Sequence, residues 1–209
     1  MERLKYHSVY ISGAIDNVSH EEAIGWRQDI TPFLQSLGLF VFDPTNKCVD
    51  GYEEDEKFFE RKKKLKQDGK YKELHELGKP IRSLDLRFVD LSSFVIAYLD
   101  LDVILTGTLN EIFMCDSQRK PCLIVCKQGV ESIADWLFFT FPSEFFFSNF
   151  DDLKKYITGI HDGSITELHN RWHLIDYGRI LPPQLRPTPQ LNRTKQEDQK
   201  LFAALVAQR

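Results

Sequence analysis

The chain has 209 residues, enough for one α/β domain with an elaboration, and 42% of them are hydrophobic, which allows a sizeable core. A net charge of −4 and a pI of about 5.9 argue against a general nucleic-acid binder, which would carry a basic face. No signal pattern is recognisable and no apolar run approaches the ~18 residues of a membrane helix, so a soluble, cytoplasmic protein is expected.

In chain order, the β-rich run 9–11 within SVYISGA predicts a first strand ending at Gly13. Ser19-His20-Glu21-Glu22 has the spacing of a capping box, and Ile24, Ile30, Phe33, Leu34 and Leu37 suit a helix stopped at Gly38. Residues 39–42 predict strand two, stopped by Asp43-Pro44. Residues 46–79 are strongly charged, acidic first and basic after, and predict an insertion of one or two solvated helices that would suit a lid over the strand ends. Its RKKKLK run reads as a solvated helix face more readily than as a nucleic-acid patch, because EEDE and ELHE cancel most of the charge.

Pro80 predicts a helix start, with Ile81, Leu84, Phe88 and Leu91 on one apolar stripe. Strand three follows at 94–99, a helix runs from Thr108 to about Gln118, and CLIVC at 122–126 is strand four. This order of elements favours a parallel sheet with right-handed crossovers. The aromatic stretch that follows predicts a short fifth strand at 145–147 and a helix at 151–157. From about 181 to 209 the chain is Pro- and Gln-rich and predicts an extended or disordered arm, with one short amphipathic helix at 197–207. The expected division is an α/β domain over 1–157 and a C-terminal extension over 158–209.

The richest stretch for chemistry is FVIAYLDLDVILTGTLNE, ending at Glu111. It places Glu111 in the first turn of a helix just past the carboxyl end of a buried strand, where open α/β sheets form ligand crevices. Thr108-Leu109-Asn110-Glu111 also matches a capping box, so Glu111 serves either a backbone N–H or an electrophilic sugar carbon. Gly107 removes a Cβ where a sugar would come close. Asp85, four residues after Ile81, lies at the edge of the apolar stripe and is either a proton donor or a surface carboxylate paired to Arg82 or Arg87. Asp100 and Asp102 are either acceptors for sugar hydroxyls or solvated loop carboxylates. Two Asp without a third ligand at suitable spacing are a poor metal signal, so no metal is expected.

The turn Tyr10-Ile11-Ser12-Gly13-Ala14-Ile15-Asp16 has one glycine and lacks both G-x-G-x-x-G and the Walker GK[ST], which argues against a dinucleotide fold or P-loop NTPase. It is either a plain βα turn or the lining of a small-ligand site through Ser12, Gly13 and backbone N–H groups. The six histidines form no nucleophile or metal pattern, and Trp26, Trp136 and Trp172 read as core. Cys122 and Cys126 share one side of strand four and no CxxC pair exists, so they read as buried thiols in a reducing compartment.

YISGA, Asp85-Leu86, FVIAYLD, GTLNE and KPCLIV, in that order over about 9–126, resemble the nucleoside 2-deoxyribosyltransferase superfamily, which includes related nucleoside and nucleotide N-glycosidases. The resemblance implies a flavodoxin-like, doubly wound parallel sheet of about five strands. It implies that Glu111 attacks C1′ of a 2′-deoxynucleoside, that Asp85 contacts the base and helps protonate it, that Asp100 or Asp102 holds sugar hydroxyls, and that Tyr10 lies near the nucleophile; Ser12, Gly13, Gly107 and Thr108 complete the expected substrate contacts. It implies no cofactor, a nucleoside or nucleotide and a free nucleobase as partners, and a homo-oligomer whose neighbouring subunit completes the site.

The chain also departs from the family. The loop 100–106 is longer, Ser93 stands where an acidic residue is usual, and 46–79 and 158–209 lie outside the family core. The first loop, GAIDNVSH, places Asp16 where nucleotide-hydrolysing relatives carry positive charge, which favours a nucleoside over a nucleotide. The expected activity is transfer of a deoxyribosyl group between bases. The rivals are hydrolysis of a nucleoside 5′-monophosphate on the same fold, a nucleotide-binding sensor without turnover, and an assembly role for the Phe-rich segment 141–150 and the Pro-rich arm.

Overall fold

The computed structural model describes residues 2–16, 18–47, 54, 56–173 and 175. Five parallel strands, β1 (Ser8–Gly13), β2 (Phe40–Phe42), β3 (Phe94–Leu99), β4 (Cys122–Cys126) and β5 (Phe146–Phe147), pair in the order β2-β1-β3-β4-β5. That is the flavodoxin-like, doubly wound order, with its switch point between β1 and β3. β3 and β4 read as continuous apolar runs because both faces of a parallel sheet are covered, and nearly every side chain in them is buried.

The register sets which side chains share a face. Tyr10 pairs with Val95 and Ser12 with Ala97, whereas Gly13 pairs with Tyr98. Successive residues of a strand point to opposite faces, so Tyr10 and Ser12 face one way and Tyr98 the other. On the Tyr10 side lie Phe88, whose ring sits 5.8 Å from that of Tyr10, and α4 (Thr106–Ser117). On the Tyr98 side lie Trp26 of α1 (His20–Ser36) and Phe150 of α6 (Phe150–Asp162), with ring centroids 5.2 and 5.3 Å from Tyr98.

α1 begins as the sequence predicts: Ser19 and Glu22 form the reciprocal capping box. It ends at Ser36, with Gly38 at φ +74°, a conformation that glycine adopts without steric cost. The charged segment holds α2 (Glu56–Gln67) and the first part of α3 (Tyr71–Leu91). Pro80 does not start a helix; it lies inside α3. A proline there leaves the carbonyl four residues earlier without an intrahelical donor. Glu76 and Pro80 are both exposed, where water can serve such a carbonyl.

Among the described residues the chain divides into two compact units. Residues up to Asp43, together with those from Phe88 onward, form one, and 44–87 belong to the other. Within the first unit the aromatic stretch after β4 contains a helix the sequence reading did not assign, α5 (Asp135–Thr140). Trp136 on α5 is 68% exposed and not core as expected, whereas Trp172 is buried against Phe94 and Phe145. Helix α6 starts one residue before its predicted position, with Asn149 capping the Asp152 N–H, and runs five residues further, to Asp162. Cys115, Cys122 and Cys126 are buried free thiols; Cys48 and the predicted arm at 181–209 lie outside the described residues. No helix of the described residues is long and apolar enough to cross a membrane.

Candidate active site

The capping-box reading of Thr108 and Glu111 does not hold. Helix α4 opens two residues earlier than predicted, at Thr106, behind Leu105, which makes no side-chain cap. Leu105 is buried, and its carbonyl accepts the Leu109 N–H at 2.8 Å, so apolar anchoring sets the helix start in place of a polar cap. Glu111 therefore stands in the second turn, beyond the range over which a helix terminus acts strongly on a carboxylate.

Two hydroxyls hold Glu111. Tyr10 Oη donates to Glu111 Oε1 at 2.9 Å, and Ser12 Oγ donates to Oε2. The two donors alternate on β1, so the period of two that builds the strand also aims both at one side chain. Tyr10 and Ser12 are sealed from solvent, and Glu111 keeps 8% of its surface. As an ionised carboxylate Glu111 is an acceptor at both oxygens, and here each oxygen accepts from a hydroxyl of β1. A carboxylate so fixed, one turn from the open β3–α4 loop, can attack an electrophilic carbon presented from that side. Gly107 leaves space there: a Cβ added to it would meet no atom of the described residues within 4 Å.

Gly13 is different. A Cβ there would lie 2.8 Å from Trp26 Cζ2 and 3.3 Å from the Tyr98 carbonyl oxygen, so this glycine admits the protein's own tryptophan. Thr108 is buried on α4.

Asp100 follows β3 and is gripped by its neighbours. Lys127 Nζ donates at 2.6 Å, Gln128 Nε2 at 2.8 Å and the Asp102 N–H at 3.1 Å. Burial pushes the Asp100 carboxyl up, but these donors outweigh it and hold it below the ordinary aspartate value. Asp102 is exposed and its Oδ2 accepts from the same Gln128 amide at 3.0 Å. Lys127 and Gln128 were not singled out in the sequence. Register could have found them: Leu99 pairs with Cys126, so the residues just beyond β3 and β4 must meet.

Asp100 and Lys127 also line a cleft of about 330 Å³ at the carboxyl ends of β1, β3 and β4, with Ala14, Glu22, Trp26 and Tyr98. Its groups are already engaged. Trp26 stacks on Phe150 at 5.6 Å and carries the Arg27 guanidinium at 4.4 Å, and Glu22 serves the α1 cap.

Asp85 belongs to the unit formed by 44–87. There Lys47 Nζ lies 3.1 Å from Asp85 Oδ1 and also pairs with Glu54. Lys47 was not foreseen, since nothing in the spacing of Lys47 and Asp85 links them before the fold does. Cys122 offers no nucleophile, because complete burial pushes its thiol well above the ordinary range.

Comparison with protein-family models gives no match, and neither does comparison with curated proteins. Among solved structures the chain is similar to a 2-deoxyribosyltransferase of the psychrotolerant bacterium Bacillus psychrosaccharolyticus, at 15% identity and a TM-score of 0.49 over 71% of this chain and 91% of that one. At that identity and score the likeness assigns neither chemistry nor substrate to this chain.

Proposed function

We propose that the chain is a nucleoside 2-deoxyribosyltransferase-like enzyme that works by double displacement through Glu111. The observation that carries this reading is the Glu111 carboxylate itself. It is nearly buried, held at both oxygens by hydroxyls of β1, and set beside the carboxyl ends of the strands with open space at Gly107.

In the first step a Glu111 oxygen forms a bond to C1′ as the C1′–N bond breaks. The electron pair leaves on the base nitrogen and the base takes up a proton. In the second step a nitrogen of the incoming base bonds to C1′ and loses its proton, while the ester bond breaks and returns its pair to Glu111. The covalent ester splits one hard substitution into two easier ones. Asp85 is the expected proton donor to the leaving base. Within its own unit Asp85 pairs with Lys47, a contact that this reading requires to open when Asp85 donates.

The test is chromatographic. Purified protein is incubated with each 2′-deoxynucleoside and its 5′-monophosphate, with and without a second free base. A new deoxynucleoside that forms only with the acceptor base, and that the Glu111→Gln protein does not make, is the expected result. Free base released from monophosphates without an acceptor would establish hydrolysis instead, and no product from any substrate would sink both.

A further inference from the structure

Ser12 has no accessible surface at all, and its hydroxyl, which carries a single proton, is given to Glu111 Oε2. A substrate reaching the carboxylate would therefore meet Glu111 before it could meet Ser12. The serine sits on β1, which is paired on both edges: Tyr10 pairs with Phe42 of β2, and Ser12 itself pairs with Ala97 of β3. Its hydroxyl hangs on a single rotatable bond, so the donor has only three staggered positions, one of which makes this hydrogen bond. Tyr10 holds the other oxygen from the far end of a ring that packs on Phe88.

We propose that Ser12 is a positioning residue for the displacement at C1′, fixing Oε2 as the oxygen that does not attack and turning Oε1 toward the sugar. This rests on the proposed function of Glu111. Oε2 becomes the carbonyl oxygen of the glycosyl ester when the C1′–Oε1 bond forms and the base leaves with the C1′–N pair. When the acceptor nitrogen takes C1′ and the C1′–Oε1 pair returns, Oε2 recovers its share of the negative charge. The Ser12 hydrogen bond is strongest with the full carboxylate, so it favours the second step, in which the charge returns to Glu111 as leaving group; in the first step its part is to hold the carboxylate in direction. Asp116, on the same helix, plays no part in this; it faces Arg171.

The experiment compares wild type, Ser12→Ala and Ser12→Cys in base exchange at saturating acceptor, with Glu111→Gln as the control for the reaction itself. Losing a hydrogen bond to a charged group should lower kcat by about 10- to 100-fold and leave KM for the deoxynucleoside unchanged. The Cys protein keeps the volume with a weaker donor and should fall between Ser and Ala in kcat. A purely structural role would instead make kcat follow the melting temperature, which is measured alongside. If Ser12→Ala stays within about twofold of wild type in kcat, or loses only in KM, while Glu111→Gln is inactive, this inference fails and the function of Glu111 stands. If wild type exchanges no base, both fail together.

Discussion

The guanidinium of Arg27 is wholly buried, and its Nη2 donates to the Gly13 carbonyl at 3.0 Å, tying the middle of α1 to the end of β1. Nη1 reaches the Ala23 carbonyl, Nε lies 3.7 Å from Asp43 Oδ1, and the Trp26 ring covers the guanidinium. One side chain thus gathers the ends of β1 and β2 and the first half of α1. Replacing it by Met keeps the apolar stem and strands the carbonyls. Arg27→Met is expected to cost about 3 kcal/mol, the scale for breaking a buried, partnered charge, read as a lower urea midpoint. Arg27→Lys should recover little of it, since an ammonium cannot reproduce the planar fork.

Gly13→Ala tests the same corner from the other side. The new methyl would press on Trp26 Cζ2 at 2.8 Å, and overpacking of this kind costs about 1–3 kcal/mol. The expected readout is a lower melting temperature. Gly107→Ala should melt close to wild type, because its Cβ meets no atom of the described residues within 4 Å, and any loss it shows should be of activity.

For Glu111 the two variants should part company in stability. Glu111→Ala leaves the buried hydroxyls of Tyr10 and Ser12 without their acceptor, which costs about 1–3 kcal/mol. Glu111→Gln retains an amide that can accept from one hydroxyl and donate to the other, so its denaturation curve should lie near that of wild type. A loss of stability in Ala with no change in activity would assign Glu111 a structural role only.

The Asp100 carboxyl has a folded-state value below its ordinary 3.8. A depressed acid contributes stability that is present above 3.8 and is lost as pH falls through the lower, folded value. Lys127 is nearly half exposed, so solvent screens this pair and the effect is small. In Asp100→Asn the contribution is missing, so the stability gap between wild type and variant should narrow as the pH is taken down through 3.8. A gap that widens on acidification would reverse the assigned sign.

The strands at 94–99 and 122–126 were legible to the residue, because a strand buried on both faces shows as an unbroken apolar run between polar ends. The α1 cap was equally plain, since Ser19 and Glu22 are a purely local signal. The start of α4 was misplaced for the opposite reason. Thr108 and Glu111 offered a local capping pattern, and tertiary burial of Leu105 overrode it. Glu111 was found by its place after a strand, and Tyr10 was expected near it through the family resemblance alone; Ser12 as its second partner lies a hundred residues away and meets it only through the crossover. The aromatic run before β5 hid α5, because Trp, Phe and Thr carry no helical period there and Trp136 and Phe139 remain exposed.

Tyr10 and Ser12 belong to a strand that pairs with β3 from Val9 to Gly13 and with β2 from Ser8 to Tyr10. In native-state hydrogen exchange such a ladder opens only with the whole cooperative unit. The orientation of Glu111 is thereby fastened to the slowest-exchanging part of the molecule, and it should persist through loop fluctuations and partial fraying. Heated stepwise, the protein should hold its carboxylate geometry until the β1 amides lose protection, and both should vanish in one transition.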